Sequence, residues 1–361
     1  MSTSPARGGA LVAMSGGVDS SVAAMLAREQ GHDHDCVEVT MILSHGADAS
    51  RARQDIDDAA AAARLLGMTH ETLDCAAAFE RRVIETFIRT YEEGRTPDPC
   101  ILCNRHIKFG ALLDAARARG MERIVTGHYA RVERDDGTGR YLLRKAVDLD
   151  RDQSYVLYAL SQEQLARAVF PLGGLTKARV RELAEARGLP NARKRGSQDI
   201  CFVQGGKYAD FIERRTGRAP EPGWFVDEEG RPLGQHGGII RYTPGQRKGL
   251  GLSVPAPLYV LEIDARMNRI VLTDEDGLLF RTVFVEEPDL ISVPAIERPM
   301  RVTAKLRYRQ REAPATVSPM GDGRLRIDFD EPQRAPAKGQ AAVFYDGDVV
   351  VGGGTICGAQ R

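Results

Sequence analysis

The chain has 361 residues, of which 42% are hydrophobic and 28% are charged, and its 50 basic residues balance its 50 acidic residues. This length predicts two or three domains. The zero net charge predicts neither a nucleic-acid partner nor a membrane partner. The sequence has no apolar run long enough to span a bilayer and no signal-like stretch at its start. It therefore favours a cytoplasmic protein without a membrane partner.

The first half of the chain alternates strand-like and helical patterns. Short β-branched runs predict strands at 10–14, 36–43, 69–74 and 123–128. The segments between them predict helices that end near Gly31, cover 49–66, end near Tyr91 and cover 109–119. A hairpin at 131–145 and helices at 161–169 and 176–187 complete an expected first domain, residues 1–205. This alternation predicts the α/β class, with a doubly wound parallel sheet that binds ligands at the carboxyl ends of its strands.

The second half of the chain has a different composition and pattern. From residue 206 glycine and proline become frequent, and short strand-like runs such as GIIRYT, LYVLEID and RIVLTD replace the long helices. We expect a small central domain over 206–280. Residues 281–361 contain further alternating runs, among them RVTAKLRYR and QAAVFYDGDVVVGGGTI, and they predict a C-terminal β-barrel.

A glycine-rich loop, SGGVDS, follows the first predicted strand and precedes the first predicted helix. Gly16 and Gly17 have no Cβ atoms to block close approach, so their backbone N–H groups can form an anion nest at the helix N-terminus. The lysine of a Walker A loop is missing. The loop instead resembles the PP-loop of ATP pyrophosphatases, which cleave ATP between the α and β phosphates. The plainer alternative is a tight turn in which Asp19 is a first-turn acid.

Two cysteines lie three residues apart in PDPCILCN (97–104). Cys103 is the candidate nucleophile, and Cys201 in GSQDICF is its candidate partner. Pro97 and Pro99 predict a stiff, non-helical approach to a helix that begins near Phe109. A helix start with basic residues nearby would lower the pKa of a thiol and so favour the reactive thiolate.

The residues alone leave several uses for the cysteines open. One is a zinc site completed by His106, and another is a disulfide-cycling pair in which one thiol carries a transferable sulfur. A third is an iron–sulfur cluster with one open iron, held by Cys100, Cys103 and Cys201. Simple packing is the interpretation for the remaining three, Cys36, Cys75 and Cys357.

Seven motifs in order carry a resemblance to a known family: SGGVDSS, PDPCILCNRHIKF, TGHYAR, RDQSYVL, GSQDICF, YTPGQRKGLG and KLRYRQ. Over nearly its whole length the sequence resembles the tRNA-specific 2-thiouridylases. The resemblance implies that ATP, with Mg²⁺, adenylates the C2 oxygen of the wobble uridine, and that sulfur from a cysteine persulfide then replaces this oxygen. It implies the tRNA anticodon stem-loop as substrate, and a relay protein or cysteine desulfurase as sulfur donor.

The same resemblance implies roles for individual residues. Cys103 is the nucleophile and Cys201 carries the persulfide, and the two form a disulfide when sulfur leaves. ATP is bound by Ala13, Met14, Ser15, Gly16, Gly17, Val18, Asp19, Ser20, Met41 and Gly127. The tRNA is contacted by His128, Arg151, Asp152, Gln153, Arg307, Tyr308 and Gln340. The chain departs from the family pattern at Cys100, where many members have an aspartate. The alternative sulfur carrier is a [4Fe–4S] cluster on Cys100, Cys103 and Cys201, and otherwise no metal site is expected.

Two basic segments favour RNA over an ordinary solvated surface. Segment 177–195 holds seven basic and two acidic residues, and segment 301–311 is basic without an acidic residue. The loop at 242–251 is either a hairpin turn or an RNA clamp. Two other functions remain: a PP-loop ligase of small molecules, such as a GMP or NAD synthetase, and a non-catalytic RNA-binding protein. The paired thiols argue against the first and the phosphate loop against the second.

Overall fold

The computed structural model describes residues 9–29, 36–45, 49–194, 200–203 and 207–361. The chain forms two compact units. The N-terminal unit comprises Met1–Val83, Cys100–Gln198 and Asp348–Val350, and the C-terminal unit comprises Ile84–Pro99, Asp199–Gly347 and Val351–Arg361. In the described part of the chain, no helix combines the length and the apolar character needed to cross a membrane.

The described α-helices are mostly short. They are α1 Val18–Glu29, α2 Ala49–Leu66, α3 Ala76–Phe79, α4 Glu85–Glu92, α5 Pro99–Cys103, α6 Leu112–Ala118, α7 Ser154–Leu157, α8 Gln162–Arg167, α9 Lys177–Ala186 and α10 Tyr208–Thr216. Two π-helical stretches, Glu80–Ile84 and Asn104–Ala111, follow α3 and α5. Two 3₁₀ turns are Ile239–Arg241 and Asp276–Leu278.

The described strands fall into three sheets. In chain order they are β1 Ala10–Met14, β2 Cys36–Ile42, β3 Thr69–Asp74, β4 Arg123–Val125, β5 Ala130–Arg134, β6 Tyr141–Lys145, β7 Ala168–Val169, β8 Gly223–Val226, β9 Pro232–His236, β10 Tyr259–Asp264, β11 Arg269–Thr273, β12 Leu279–Leu290, β13 Met300–Lys305, β14 Ala313–Pro319, β15 Leu325–Arg334, β16 Ala341–Asp346 and β17 Val349–Gln360.

The N-terminal unit is built on a parallel sheet with the strand order β3-β2-β1-β4-β7. All five residues of β1 are buried, so both faces of this central strand are covered. Chain direction across the sheet reverses at β1, because β2 and β3 lie on one side of it and β4 on the other. In such sheets ligands bind at the carboxyl ends of the strands beside this switch point. The predicted α/β class is therefore confirmed, and it positions the loop after β1.

The C-terminal unit contains a four-stranded sheet and a barrel. The sheet has the order β10-β11-β8-β9 and packs a small apolar core that includes Phe225, Val260 and Ile270. The barrel strands follow the order β12-β15-β14-β13-β16-β17, and β12 also pairs with β17, which closes the barrel. Its interior is lined by alternating residues such as Val302 and Ala304 of β13. The predicted β-barrel is thus confirmed.

Two sequence predictions of local structure are wrong, and one helix was not predicted. PDPCILCN is not a non-helical loop, because α5 begins at Pro99; proline is tolerated at a first helical position, where its missing N–H would have no intrahelical partner. The predicted strand GIIRYT is a 3₁₀ turn that follows Gly238, whose φ of +107° turns the chain out of an extended path. The helix α10 was not predicted. Its C-cap is Gly217 in the left-handed conformation, an ordinary helix stop signal.

Candidate active site

The loop after β1 is held together by its own hydroxyl groups. The backbone N–H of Ser15 donates to Ser20 Oγ at 3.2 Å, and Ser20 Oγ donates to the Gly17 carbonyl at 3.0 Å. Ser21 Oγ donates to the same carbonyl at 3.2 Å. The loop leads into α1, whose first turn carries Asp19. The loop is thus shaped locally, and the positive end of a twelve-residue helix lies at its end.

Two glycines are required by close packing around this loop. Gly16 has a φ of +67°, and a Cβ at this position would lie 2.4 Å from the carbonyl oxygen of Asp55. A Cβ on Gly127, which follows β4, would lie 2.8 Å from backbone atoms of both Asp19 and Ser20. Both contacts are with backbone, which cannot move aside as a side chain can. Gly16 therefore lies against α2, and Gly127 lies against the first turn of α1, so closely that only glycine fits.

Basic side chains that are distant in sequence complete the loop. Lys177, the first residue of α9, donates from Nζ to Asp19 Oδ1 at 2.5 Å, and the Tyr129 hydroxyl donates to the same oxygen at 2.8 Å. Burial, followed by the charge of Asp19, raises the pKa of Tyr129, so it stays a neutral donor. A lysine 158 positions away is therefore held beside the loop by Asp19.

A second lysine connects the loop to α2. Lys194 Nζ donates to the Gly16 carbonyl at 3.2 Å, to Asp55 at 2.8 Å and to Asp58 at 2.6 Å. Burial lowers the pKa of Lys194, but the hydrogen bonds to the two aspartates outweigh this effect and the pKa is raised overall. Asn191 is 4% exposed and donates to the Gly16 carbonyl at 3.2 Å. The basic segment 177–195 thus directs two of its lysines to the phosphate loop, an arrangement that the RNA interpretation of this segment did not anticipate.

The other predicted nucleotide-binding residues lie at the same sheet edge. Ala13 and Met14 are the buried end of β1, and Val18 is the buried start of α1. Met41 is half-buried near the end of β2, the strand next to β1. The sheet therefore brings the predicted set together at the carboxyl ends of β1, β2 and β4.

His128 lies directly after Gly127 and is 6% exposed. Its Nδ1 is 2.6 Å from Thr126 Oγ1 and its Nε2 is 3.3 Å from Lys108 Nζ. Burial, followed by the charge of Lys108, holds the pKa of His128 well below its usual value. An ammonium can only donate, so Nε2 accepts and Nδ1–H donates to the threonine. The sequence prediction for His128 was tRNA contact, and the structure gives this side chain internal partners.

The motif RDQ (151–153) fixes the chain after the β5–β6 hairpin. Asp152 is buried and accepts from Ala146 N at 2.9 Å and from Ser154 Oγ at 2.7 Å. Gln153 Oε1 accepts from the backbone N–H of Tyr129 at 2.9 Å. Arg151 is exposed. Two of these three predicted tRNA-contact residues therefore hold local backbone, and the third reaches solvent.

Cys103 is the last residue of α5 and is 9% exposed, whereas Cys100 in the same helix is exposed. The next residue, Asn104, is buried, and its Nδ2 donates to the Val156 carbonyl at 2.9 Å. Its Oδ1 is buried without a hydrogen-bond partner in the described part of the chain. The helix carrying Cys103 is thus anchored by the residue that follows the thiol.

The remaining cysteines differ in environment. Cys201, in the C-terminal unit, is exposed, and residues 196–199 of its motif lie outside the described residues. Cys75 is buried, and burial followed by the charge of Asp74 raises the pKa of its thiol. Burial also raises the pKa of Cys357. Among the described residues no disulfide is formed, and no three His, Cys, Asp or Glu side chains are arranged to hold a metal ion.

Three predicted tRNA-contact residues lie in the C-terminal unit. Arg307 donates from Nη2 to the Ala335 carbonyl, and Tyr308 is 39% exposed. Gln340 Nε2 donates to the Pro97 carbonyl at 3.0 Å, and a longer bond of 3.4 Å reaches the Thr96 carbonyl. Gln340 therefore holds the backbone that immediately precedes α5.

The chain matches three protein families along its length. Residues 9–205 match the tRNA methyl transferase HUP domain, residues 209–274 the tRNA methyl transferase PRC-barrel domain, and residues 280–356 the aminomethyltransferase beta-barrel domain. A relative from Moorella thermoacetica, named tRNA-specific 2-thiouridylase MnmA, is 48% identical over 96% of this chain and 98% of its own. The chain belongs to the tRNA-specific 2-thiouridylase family. Relatives with the same name from Acetivibrio thermocellus and Clostridioides difficile are 46% and 44% identical over 96% of this chain and 98% and 97% of their own.

The glycine-rich motif predicted the loop but not all of its partners. Tyr129, Lys177, Asn191 and Lys194 were missed as site residues. The available signal was the absent Walker lysine, because a phosphate loop without a lysine needs positive charge from elsewhere. Sequence spacing alone could not identify which of the basic residues supply it.

Proposed function

We propose that this protein is a tRNA 2-thiouridylase, which replaces the C2 oxygen of the wobble uridine with sulfur in an ATP-dependent reaction. The observation that carries the proposal is the identity of 44–48% to relatives of that name over 96% of the chain. The proposed substrate region is the anticodon stem-loop. The proposed sulfur source is a relay protein or a cysteine desulfurase, and the proposed location is the cytoplasm.

The residues around the PP-loop fit ATP as co-substrate. Gly16 and Gly127 leave a cradle that a Cβ would fill. Lys177 and Lys194 lie beside this cradle, where each is held by aspartate carboxylates. Backbone N–H groups at the start of α1 are suited to phosphate oxygens. ATP would supply the adenyl group that makes the C2 oxygen a good leaving group, and Mg²⁺ would neutralise charge on the phosphates. Asp19, already held by two donors, would orient Lys177 beside the loop.

The proposed sulfur transfer balances with two thiols. The terminal sulfur of a Cys201 persulfide forms a bond to C2 of the activated uridine, and AMP leaves with the original oxygen. The Cys103 thiolate then attacks Cys201 Sγ, which breaks the S–S bond to the transferred sulfur and releases the thiocarbonyl product. This step leaves a Cys103–Cys201 disulfide, and a dithiol reductant must reduce it before another turnover.

The test is a reaction of the purified protein with unmodified tRNA, ATP and a persulfide donor, followed by mass spectrometry of the tRNA nucleosides. We expect 2-thiouridine together with AMP and pyrophosphate, both dependent on tRNA. Pyrophosphate release that depends on a small molecule and not on tRNA would support the ligase alternative. Absence of both products would contradict the proposal.

Cysteine variants test the roles of the thiols. Cys103→Ser and Cys201→Ser should each abolish thiolation and leave ATP binding intact, because neither thiol is part of the phosphate cradle. Cys100→Ser should retain activity if a persulfide carries the sulfur and lose it if an iron–sulfur cluster does. Iron and sulfide analysis after anaerobic purification gives an independent answer, since an active, iron-free protein excludes the cluster.

A further inference from the structure

The N-terminal unit has a strongly basic cavity that the proposed nucleotide chemistry does not use. The cavity has a volume of about 400 Å³, and its lining includes Arg81, Arg82, Arg105 and His106. Its two sides come from two different helices, because Arg81 and Arg82 follow α3 whereas Arg105 and His106 follow α5. Four side chains that carry or can carry positive charge therefore share one concave surface.

Both sides of the cavity are π-helical, in the stretches Glu80–Ile84 and Asn104–Ala111. A π-helix is rare and occurs frequently at functional sites. The second stretch is stabilised from outside, because Gln164 Nε2 donates to the carbonyls of Arg105 at 2.9 Å and Phe109 at 2.7 Å. The amide of Gln164 is therefore engaged in holding this wall of the cavity in place.

Part of the positive charge of the cavity comes from two exposed arginines. Arg81 and Arg82 are exposed, and neither forms an ion pair with a carboxylate in the described part of the chain. Burial, followed by the charges of Arg105 and Arg82, lowers the pKa of His106. Asp114 is the acidic residue in the lining, and it lies 3.9 Å from Arg117. The cavity therefore presents a positive field to an anion.

We propose that this cavity binds a backbone phosphate of the substrate RNA. Guanidinium groups form bidentate hydrogen bonds to phosphate oxygens, and several around one concavity hold a phosphodiester in a fixed position. His106 follows Cys103 by three residues, within one helical turn. A nucleotide of an RNA strand that reaches Cys103 is joined to its neighbours by phosphodiester linkages. The cavity at His106, one helical turn from Cys103, is therefore suitably placed to bind one of these phosphates. This inference rests on the proposed function, and it assigns an RNA contact to the N-terminal unit.

The experiment measures the affinity of the full-length protein for unmodified tRNA as a function of salt concentration. Arg82→Gln should reduce the slope of log K against log salt by about 0.7 to 0.9, the value for one lost phosphate contact. Arg81→Gln/Arg82→Gln should reduce the slope by about the same amount, because the cavity holds one phosphate, and should weaken binding by roughly tenfold at low salt. Arg81→Lys/Arg82→Lys should keep most of the slope, because it keeps the charge. ATP binding should be unchanged in all variants, which also shows that they fold.

Arg119→Gln is the matched control. Arg119 is a surface arginine of the same unit whose guanidinium binds Glu71 at 3.0 Å, so its loss changes net charge equally but should leave the salt slope unchanged. An equal slope for Arg82→Gln and the parent would overturn the inference. Unchanged tRNA affinity with sulfur transfer lost only from a protein donor would also overturn it, and would indicate an acidic protein partner. If the parent neither binds nor thiolates tRNA, the proposed function itself has failed.

Discussion

Glu38 provides a quantitative test of the fold of the N-terminal unit. It lies on β2, between Val12 on β1 and His70 on β3, and has an exposure of 0%. Both carboxyl oxygens are buried without a hydrogen-bond partner among the described residues. Burial raises the pKa of Glu38 from 4.5 to about 8. His70 does not offset this by charge, because burial, followed by the charge of Arg64, lowers its own pKa.

The sign of the effect follows from proton linkage. The folded state keeps the Glu38 proton up to about pH 8, whereas the unfolded chain releases it near 4.5. Between these values the folded state binds more protons, so stability falls as pH rises. A pKa difference of about 3.5 lowers the free energy of unfolding by about 5 kcal/mol between a pH below 4.5 and a pH above 8. About 3 kcal/mol of this is already lost at pH 7. This carboxyl therefore destabilises the unit most under alkaline conditions.

Glu38→Gln removes the titration and keeps the shape of the side chain. We expect the variant to match the parent near pH 5, since a protonated carboxyl and an amide are both neutral, and to be more stable by several kcal/mol at pH 8.5. Hydrogen exchange of the β1 and β2 amides, compared between variant and parent at each pH, reports on this unit alone. The control is Glu122→Gln at an exposed position, for which we expect no pH-dependent difference. A constant difference for Glu38→Gln from pH 5 to 8.5 would refute the reasoning.

Three further predictions concern the site. Gly127→Ala should weaken ATP binding at least tenfold, because its Cβ would lie 2.8 Å from loop backbone, whereas Gly174→Ala, with no atom within 4 Å, should not; calorimetry with ATP tests both. Gln340→Ala should lower the stability of the C-terminal unit by about 1 to 2 kcal/mol through the lost bonds to the backbone at Pro97, so unchanged urea unfolding would contradict the positioning role. His128 should stay neutral from pH 8 down to pH 6 because burial lowers its pKa, and an NMR titration showing protonation near 6.5 would contradict this.

Most regular elements of the N-terminal unit could be predicted from sequence because their patterns are local. The strand at 69–74 and the helix at 49–66 occur with the predicted bounds. The π-helical stretch after Cys103 could not be predicted, since its register is supported by Gln164, a side chain about 60 positions away. The burial of Glu38 was also missed. The predicted doubly wound sheet covers both faces of this strand, but a glutamate is rarely fully buried without a partner.

The family resemblance predicted a list of residues, and the structure divides them by what their side chains contact. Asp152, Gln153 and His128 were expected to touch RNA, yet each makes short hydrogen bonds within the protein. A residue of a functional motif can contact the substrate, or it can hold the backbone of the site in place. Sequence alone cannot separate these two roles, because both require the same residue at the same position.

The PP-loop shows that a phosphate site can be recognised from a sequence motif although the motif does not contain all the residues of the site. The glycines and serines of the loop supply shape and donors locally. The basic side chains beside it, Lys177 and Lys194, lie 158 and 178 positions away from their partners Asp19 and Gly16. Both lysines reach the loop only when α9 and the chain after it are folded against α1 and α2. Nucleotide binding in this protein is therefore coupled to the tertiary structure of the whole N-terminal unit. A Walker loop carries its lysine within the motif, and it has no such dependence.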